Sequence, residues 1–411
     1  MTTPQTSSDP RREVPHADVQ AFMPEFSLDH PALQQDPYPT YAQMREQCPV
    51  ARSDKYGGYW ILSRYDEAKF VHQTTEYFST RHISIPPVEY PLGPEIPLHI
   101  DPPEHMKYRQ PLLKMFSPAQ AQAAEGHIRE VAVRLLEAMI ADGSTDFLAG
   151  FAVPLPCLIF CELMGVPKEN LTLFLKWKDD YLRAPTAERA QRIQQMYGGV
   201  ASMFSDEWES RGNLDDPGDD IIGKLMKMEY NKERKLTKNE FIRTARFLFF
   251  AGLDTVTSQL ALMVHYLGTH LDKRDELTRE PSLIPAAIEE LMRYDTLVGV
   301  CRVVKKDVEI GGRTLKEGDF VMSLLNSANR DEKVFSAPDE VHFDRASANR
   351  HLGFGVGPHR CLGSHLARTE MRIALEELHR LMPKYRVDPA RPVKMHLGTV
   401  RGVDSLHLIY D

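Results

Sequence analysis

FGVGPHRCLGSH occupies residues 354–365. One cysteine, Cys361, follows Gly353, Gly355, Gly357 and Pro358 and precedes Gly363. Downstream, Ala367, Met371, Ala374, Leu375, Leu378 and Leu381 recur at helical spacing, which predicts a helix starting just after the cysteine. Four fates are open to a thiol in this setting. An inert core thiol is the commonest, but it has no use for glycines that permit unusual backbone angles and close approach. A nucleotide loop fails on spacing, because Pro358 breaks G-x-G-x-x-G and no Walker lysine follows. A nucleophile fits the nearby His359 and the helix N-terminus, both of which lower a thiol pKa. A metal thiolate fits as well. The helix dipole and free N–H groups stabilise the charged sulfur, and glycines let a flat cofactor come near. Haem iron takes one axial cysteine thiolate, so no distant second ligand is required.

The rest of the chain narrows the setting. Its 411 residues suffice for a large buried core and a closed pocket. Hydrophobic residues make up 42% and charged residues 26%, an ordinary globular balance. The formal charge of −8 with no long basic run argues against nucleic acid as the main partner. The N-terminal stretch has no apolar core of a signal peptide, and the longest apolar run is too short for a bilayer, so no membrane anchor and a cytoplasmic location are expected. Cys48, Cys157, Cys161, Cys301 and Cys361 are too sparse for a disulfide framework. Cys157 and Cys161 read as buried hydrophobes on one helix face.

Residues 1–27 are polar and aperiodic and are expected to form a loosely ordered arm, with one continuous domain over 28–411. Seven prolines between positions 86 and 103 exclude a regular helix or central strand there. A loop of that length in a compact protein is usually functional. Helical patterns recur near 118–141, 155–165, 169–183, 187–211, 237–271 and 285–294, whereas 300–325 alternates and turns at Gly311–Gly312 like a hairpin. Short strands are expected again from Val393 on. The fold class predicted is mainly α with small β-sheets.

Phe354-x-x-Gly357-x-x-x-Cys361-x-Gly363 resembles the haem-binding signature of the cytochrome P450 monooxygenases. Four further stretches stand in that family's order. Ala251-Gly252-Leu253-Asp254-Thr255 resembles its central helix, where a small pair leaves room for oxygen and an acid–alcohol pair handles protons. Glu290-x-x-Arg293 resembles its buried ion pair, with Arg345 as third member. Asp101-Pro102-Pro103-Glu104-His105-x-x-x-Arg109 resembles its propionate-binding helix start, and Arg302 and His359 match two further propionate contacts. Gly398-Thr399-Val400-Arg401-Gly402-Val403 resembles a substrate-contacting turn of the soluble, camphor-type bacterial members.

The resemblance implies the family's triangular, mostly helical single domain holding haem b. Cys361 is then the iron ligand, and Ala251, Phe354, Gly355 and Gly363 lie against the haem, with Gly355, Gly357 and Gly363 letting the backbone wrap. Asp254 passes protons and Thr255 holds the reacting oxygen and a water. Phe247, Phe250, Ala251, Gly252, Val298, Thr399, Val400 and part of the 82–100 loop are expected to line a pocket for an apolar substrate such as a terpenoid, steroid-like, fatty or aromatic molecule. Gly93 stands where camphor-type enzymes place a tyrosine, which points to another substrate. Dioxygen is the co-substrate. No flavin or nicotinamide module is fused, so a separate ferredoxin with its reductase is expected at a basic proximal face built from Lys107, Arg109, Lys114, Arg360 and Arg368. A peroxide-driven peroxygenase or a non-catalytic haem-thiolate carrier are the alternatives, and the intact Asp254–Thr255 pair counts against both.

Overall fold

The computed structural model describes residues 19–410 except 91, 144, 183–187, 298 and 399. The helices that matter for the site are α1 (Tyr65–Gln73), α2 (Glu104–Met115), α3 (Glu125–Asp142), α4 (Pro154–Met164), α5 (Leu171–Leu182), α6 (Arg189–Arg211), α7 (Lys238–Thr269), α8 (Ile284–Tyr294) and α9 (Ser364–Leu381). At the start of α7, Thr237 and Glu240 form a reciprocal capping box that fixes where the 32-residue helix begins. Its apolar residues lie on nearly every side, and it divides two cores. One lies among α3, α4, α8 and α9 and includes Leu136, Leu155, Leu260, Leu291 and Leu375. The other lies among α2, α4, α5 and α6 and includes Leu112, Phe160, Phe174, Phe204 and Phe249. Such a helix is long and apolar enough to cross a membrane, but 72% of its most apolar window is buried inside the protein, as a core helix requires.

The strands are β1 (Val50–Ser53), β2 (Tyr59–Leu62), β3 (Phe78–Ser79), β4 (Gly299–Val304), β5 (Val308–Ile310), β6 (Arg313–Leu315) and β7 (Phe320–Leu324). A five-stranded sheet runs β1-β2-β7-β4-β3, with β2 and β7 parallel. The hairpin expected over 300–325 is two nested pairings. β4 and β7 join the larger sheet, while β5 and β6 form their own ribbon around Gly311 and Gly312, whose φ of +54° and +73° suit a primed turn. Two short two-stranded sheets close the C-terminal region, Arg386–Val387 with Leu408–Ile409 and Lys394–His396 with Gly402–Ser405.

The N-terminal arm expected over 1–27 needs correction at its end. Val19, Phe22, Met23 and Phe26 are buried against Tyr41 and Ile61, because these four apolar side chains recur at helical spacing and cap the sheet. The described residues of 80–103 form no helix or strand, as the prolines there require. This loop is nonetheless pinned. Arg246 on α7, fully buried, donates from Nε to Glu95 Oε1 at 2.8 Å, and Arg243 donates to the Pro94 carbonyl at 2.7 Å. All five cysteines are free thiols.

Candidate haem-thiolate site

The cysteine loop is closed on itself before α9 begins. Cys361 N–H donates to the Phe354 carbonyl at 2.7 Å, Gly355 N–H to the Leu352 carbonyl at 2.8 Å and Arg360 N–H to the Gly357 carbonyl at 3.1 Å. Gly355 and Gly357 sit in the left-handed region at φ +68° and +80°. A Cβ on Gly357 would also lie 2.5 Å from the His72 carbonyl, so α1 presses directly on this turn. Gly363 is different from expectation. Its φ of −83° is open to any residue, and the backbone does not need glycine there to wrap. A Cβ at Gly363 would meet no atom within 4 Å, and the residue lines the cavity onto which Cys361 opens. Its smallness keeps the cavity wall flat.

Cys361 opens onto a cavity of about 330 Å³ between α7 and α9. Burial pushes the thiol up from its ordinary pKa, opposed by the Gly363 N–H and by Arg109, Arg360 and Arg368. A bound cation at the sulfur would favour the thiolate outright. Phe354 lines the same cavity with the Arg368 guanidinium 4.2 Å from its ring centre.

Across the cavity α7 presents Phe247, Leu248, Ala251, Gly252, Thr255, Val256 and Gln259, one face repeated every turn. Phe250, expected on that face, does not line the cavity and meets Tyr197 and Phe249 edge-on. Gly252 is small for a packing reason. A Cβ there would fall 2.4 Å from the Phe160 ring of α4, so the space expected for oxygen is filled on that side by an aromatic. Ala251 is the small residue on the open side. Thr255 donates its hydroxyl proton to the Ala251 carbonyl at 3.1 Å, leaving the oxygen as an acceptor at the cavity wall. Asp254 is 2% exposed and turned to α5, where Lys178 Nζ lies 3.1 Å from Oδ1; Ser258 donates to Oδ2 at 3.2 Å. Val400, expected in the pocket, does not line the cavity and packs against the core cluster that includes Val403 and Leu406. Val298 and Thr399 lie outside the described residues. The 80–103 loop contributes Ile83, Pro97 and Leu98.

One edge of the cavity is cationic. Arg109, Arg302, His72 and His359 line it, and behind them His105 lies with its ring centroid 4.0 Å from that of His359, the rings tilted by 40°. Burial and the neighbouring arginines drive His105 down to about 4 and His359 to about 2. Burial also lowers Arg302 to about 10, and its hydrogen bonds go to the Cys301 carbonyl and His72. Both ring nitrogens of His105 are buried and have no hydrogen-bond partner among the described residues. Two arginines and buried imidazole nitrogens along one edge suit an anionic ligand. A flat group carrying two carboxylates on one edge and a metal at its centre fits this cavity: carboxylates against the arginines and imidazoles, thiolate below, the flat wall at Gly363.

Behind the loop, Glu290 and Arg293 are both fully buried. Arg293 donates to both carboxylate oxygens of Glu290 at 2.8 and 2.9 Å, and Arg345 Nε donates to Oε1 at 2.9 Å. Burial raises Glu290, but these partners and the His342 N–H outweigh it and hold it below the usual range. Arg293 also reaches the carbonyls of Asn329, Pro338 and Glu340, tying down the irregular segment ahead of the cysteine. A second clamp was not foreseen. Glu289 takes Arg368 at 2.6 and 2.8 Å and His351 at 3.0 Å, joining α8, α9 and the start of the cysteine loop.

That clamp corrects the proposed basic face. Arg368 is committed to Glu289, and Lys107 is paired with Glu104 at 2.7 Å and bonded to Tyr230. Lys114 and Arg360 are exposed. Arg109 donates to the Arg360 carbonyl. Sequence reasoning also missed Lys178, His72 and Glu370. Glu370 lines the cavity from α9, and burial pushes its carboxyl up to about 8. Its signal is a charged residue one position before the apolar stripe residue Met371.

Comparison with known proteins bears on this geometry. Residues 161–402 match the family model described as Cytochrome P450. The chain is 34% identical over 358 residues to mycinamicin IV hydroxylase/epoxidase of Micromonospora griseorubida, covering 84% of this chain and 88% of that one. It is 30% identical over 405 residues to 6-deoxyerythronolide B hydroxylase of Saccharopolyspora erythraea, covering 93% and 98%. Among solved structures, a Bacillus megaterium enzyme in complex with testosterone superposes with a TM-score of 0.83 at 30% identity, over 91% of this chain and 97% of that one.

Proposed function

Since the chain belongs to the cytochrome P450 family and is a haem b monooxygenase, we propose that it hydroxylates a small-to-medium apolar molecule with two electrons from a separate ferredoxin. The observation that carries this reading is the wall of the cavity facing Cys361. Ile83, Leu98, Phe247, Leu248, Leu297 and Val300 make it apolar, and Thr255 puts one hydroxyl on it. Such a wall selects by shape and burial, with each well-buried side chain-sized group contributing about 1.5–3 kcal/mol. A terpenoid, steroid-like, fatty or aromatic molecule meets that demand. Relatives named as hydroxylases of mycinamicin IV and 6-deoxyerythronolide B, and a neighbour in complex with testosterone, support a reading as a hydroxylase of an organic small molecule.

Haem supplies activation of dioxygen when bound; the chain supplies ligation, orientation, protons and dryness. Cys361 provides the thiolate. Arg109, Arg302, His105 and His359 provide the carboxylate contacts. Thr255 can donate into the cavity only by giving up its bond to the Ala251 carbonyl. Asp254 can carry a proton from outside only by leaving Lys178, so the ion pair sets the resting state of the relay. Glu370 holds a proton at neutral pH on the cavity side of α9. The 80–103 loop, held by Glu95–Arg246, keeps bulk water out. Lys114 and Arg360, with the exposed Met106 and Leu113 on α2, form the surface nearest the thiolate for an acidic electron carrier.

The test is a spectral screen of apolar compounds for displacement of haem-bound water, followed by turnover of the best binder with a surrogate ferredoxin and its reductase. Hydroxylated product matched to oxygen and electron use supports the reading. Binding only of polar compounds, or turnover with peroxide alone, contradicts it.

A further inference from the structure

His72, the penultimate residue of α1, belongs to none of the motifs described above. It is 4% exposed, lines the cavity and meets Arg302 through Nδ1, 3.1 Å from Nη2. A guanidinium has donors and no acceptor, so Nδ1 accepts in this contact. Burial, Arg302 and His359 hold the imidazole neutral, well below its ordinary pKa. A neutral ring that accepts at Nδ1 carries its proton on Nε2. That N–H is buried and has no hydrogen-bond partner among the described residues. Native structures rarely leave a buried donor unpaired. The backbone there is fixed by the packing of the His72 carbonyl against Gly357 of the cysteine loop, and the ring by its contact with Arg302.

We infer that His72 donates a hydrogen bond from Nε2 to a carboxylate of the haem, with Arg302 selecting the tautomer that leaves the proton facing the cavity. The haem's two propionates are its only polar substituents, and His105, His359 and Arg302 mark the edge where they lie. An imidazole held neutral adds a directed donor there without adding to the repulsion among Arg109, Arg302 and any charged histidine. Arg302 therefore acts twice, as a charge toward the carboxylate and as the group that orients a second donor.

Holoprotein carrying His72→Leu, His72→Met or His72→Gln tests this. Resonance Raman spectroscopy reads the propionate bending mode, whose position reports hydrogen bonds to that carboxylate. Transfer of haem to an excess of apomyoglobin reads retention. The inference expects both donor-free variants to shift the bending mode and to lose haem about tenfold faster. It expects His72→Gln, which keeps an N–H, to stay near wild type in both. An unchanged bending mode with haem loss within about twofold in the Leu or Met variant overturns it, as does a Gln variant that behaves like Leu. The reduced carbon monoxide adduct is recorded alongside. A thiolate-type Soret band in every variant shows that Cys361 still ligates iron, so failure of the His72 inference is distinguishable from failure of the haem-thiolate assignment.

Discussion

Thr255 spends its proton on the Ala251 carbonyl one turn back. It is thus an acceptor at rest and a donor only after rotation about χ1. Replacing it with Ala removes both states while leaving the helix intact, because back-bonding threonines contribute little to helix stability. Thr255→Ala is expected to bind haem and substrate normally, to lower product per electron by about tenfold or more, and to divert electrons to peroxide; oxygen, electron and peroxide balances measure this. Unchanged coupling removes Thr255 from the proton relay. Glu370 gives a pH prediction. Burial raises its carboxyl from an ordinary 4.5 to about 8. A raised carboxyl favours the folded state fully below the ordinary pKa, and that contribution is lost as pH rises through the folded value. Wild-type stability should therefore decline between about pH 4.5 and 8 by a share that Glu370→Gln abolishes, as denaturant titrations across that window will show.

At the scale of elements, Gly357 and Gly363, on either side of Cys361, do different work, and of the two only Gly363 lines the cavity. Gly357 needs a left-handed φ and lies against the His72 carbonyl. Gly363 needs neither. Gly357→Ala should destabilise the fold by at least ~1 kcal/mol and disturb the contact with α1. Gly363→Ala should leave far-ultraviolet circular dichroism and solubility unchanged but reduce haem content, because its methyl would occupy the space of the flat cofactor. Equal haem content in both variants contradicts the assignment. The spacing of the signature made the loop visible in the sequence, and so did the helical stripe of α9. What the sequence concealed is which glycine served which purpose, since φ and close approach are tertiary facts. Phe250 shows the same limit. Counting by 3.6 places it near the cavity stripe, yet it packs on Tyr197 of α6 and does not line the cavity. Lys178 could not be paired with Asp254 from sequence, because no local rule links α5 to the middle of α7.

For the molecule as a whole, helices and their order were legible because apolar periodicity is strong in α8 and α9 and α7 is a long, largely apolar stretch, and the motif order located the site. The N-terminal segment was misread because four apolar residues among polar neighbours carry little signal until a sheet exists for them to cover. Charge was the least legible property. Five cations looked available near the thiolate, yet Lys107 and Arg368 are held by Glu104 and Glu289. Arg360 remains exposed and is the residue on which partner docking should depend most. Arg360→Glu is expected to slow reduction by a reduced ferredoxin several-fold at low salt, with the difference shrinking as ionic strength rises, in stopped-flow measurements. A rate and salt dependence equal to wild type would place the partner elsewhere. These claims all assume a haem held by Cys361 between α7 and α9. The most direct measurement is the spectrum of the reduced carbon monoxide adduct, in the purified protein and in Cys361→His. The protein should show the red-shifted Soret band of thiolate-ligated haem, and the variant should lose that shift while keeping haem; a protein without haem, or one whose band is the same in both, would contradict the account.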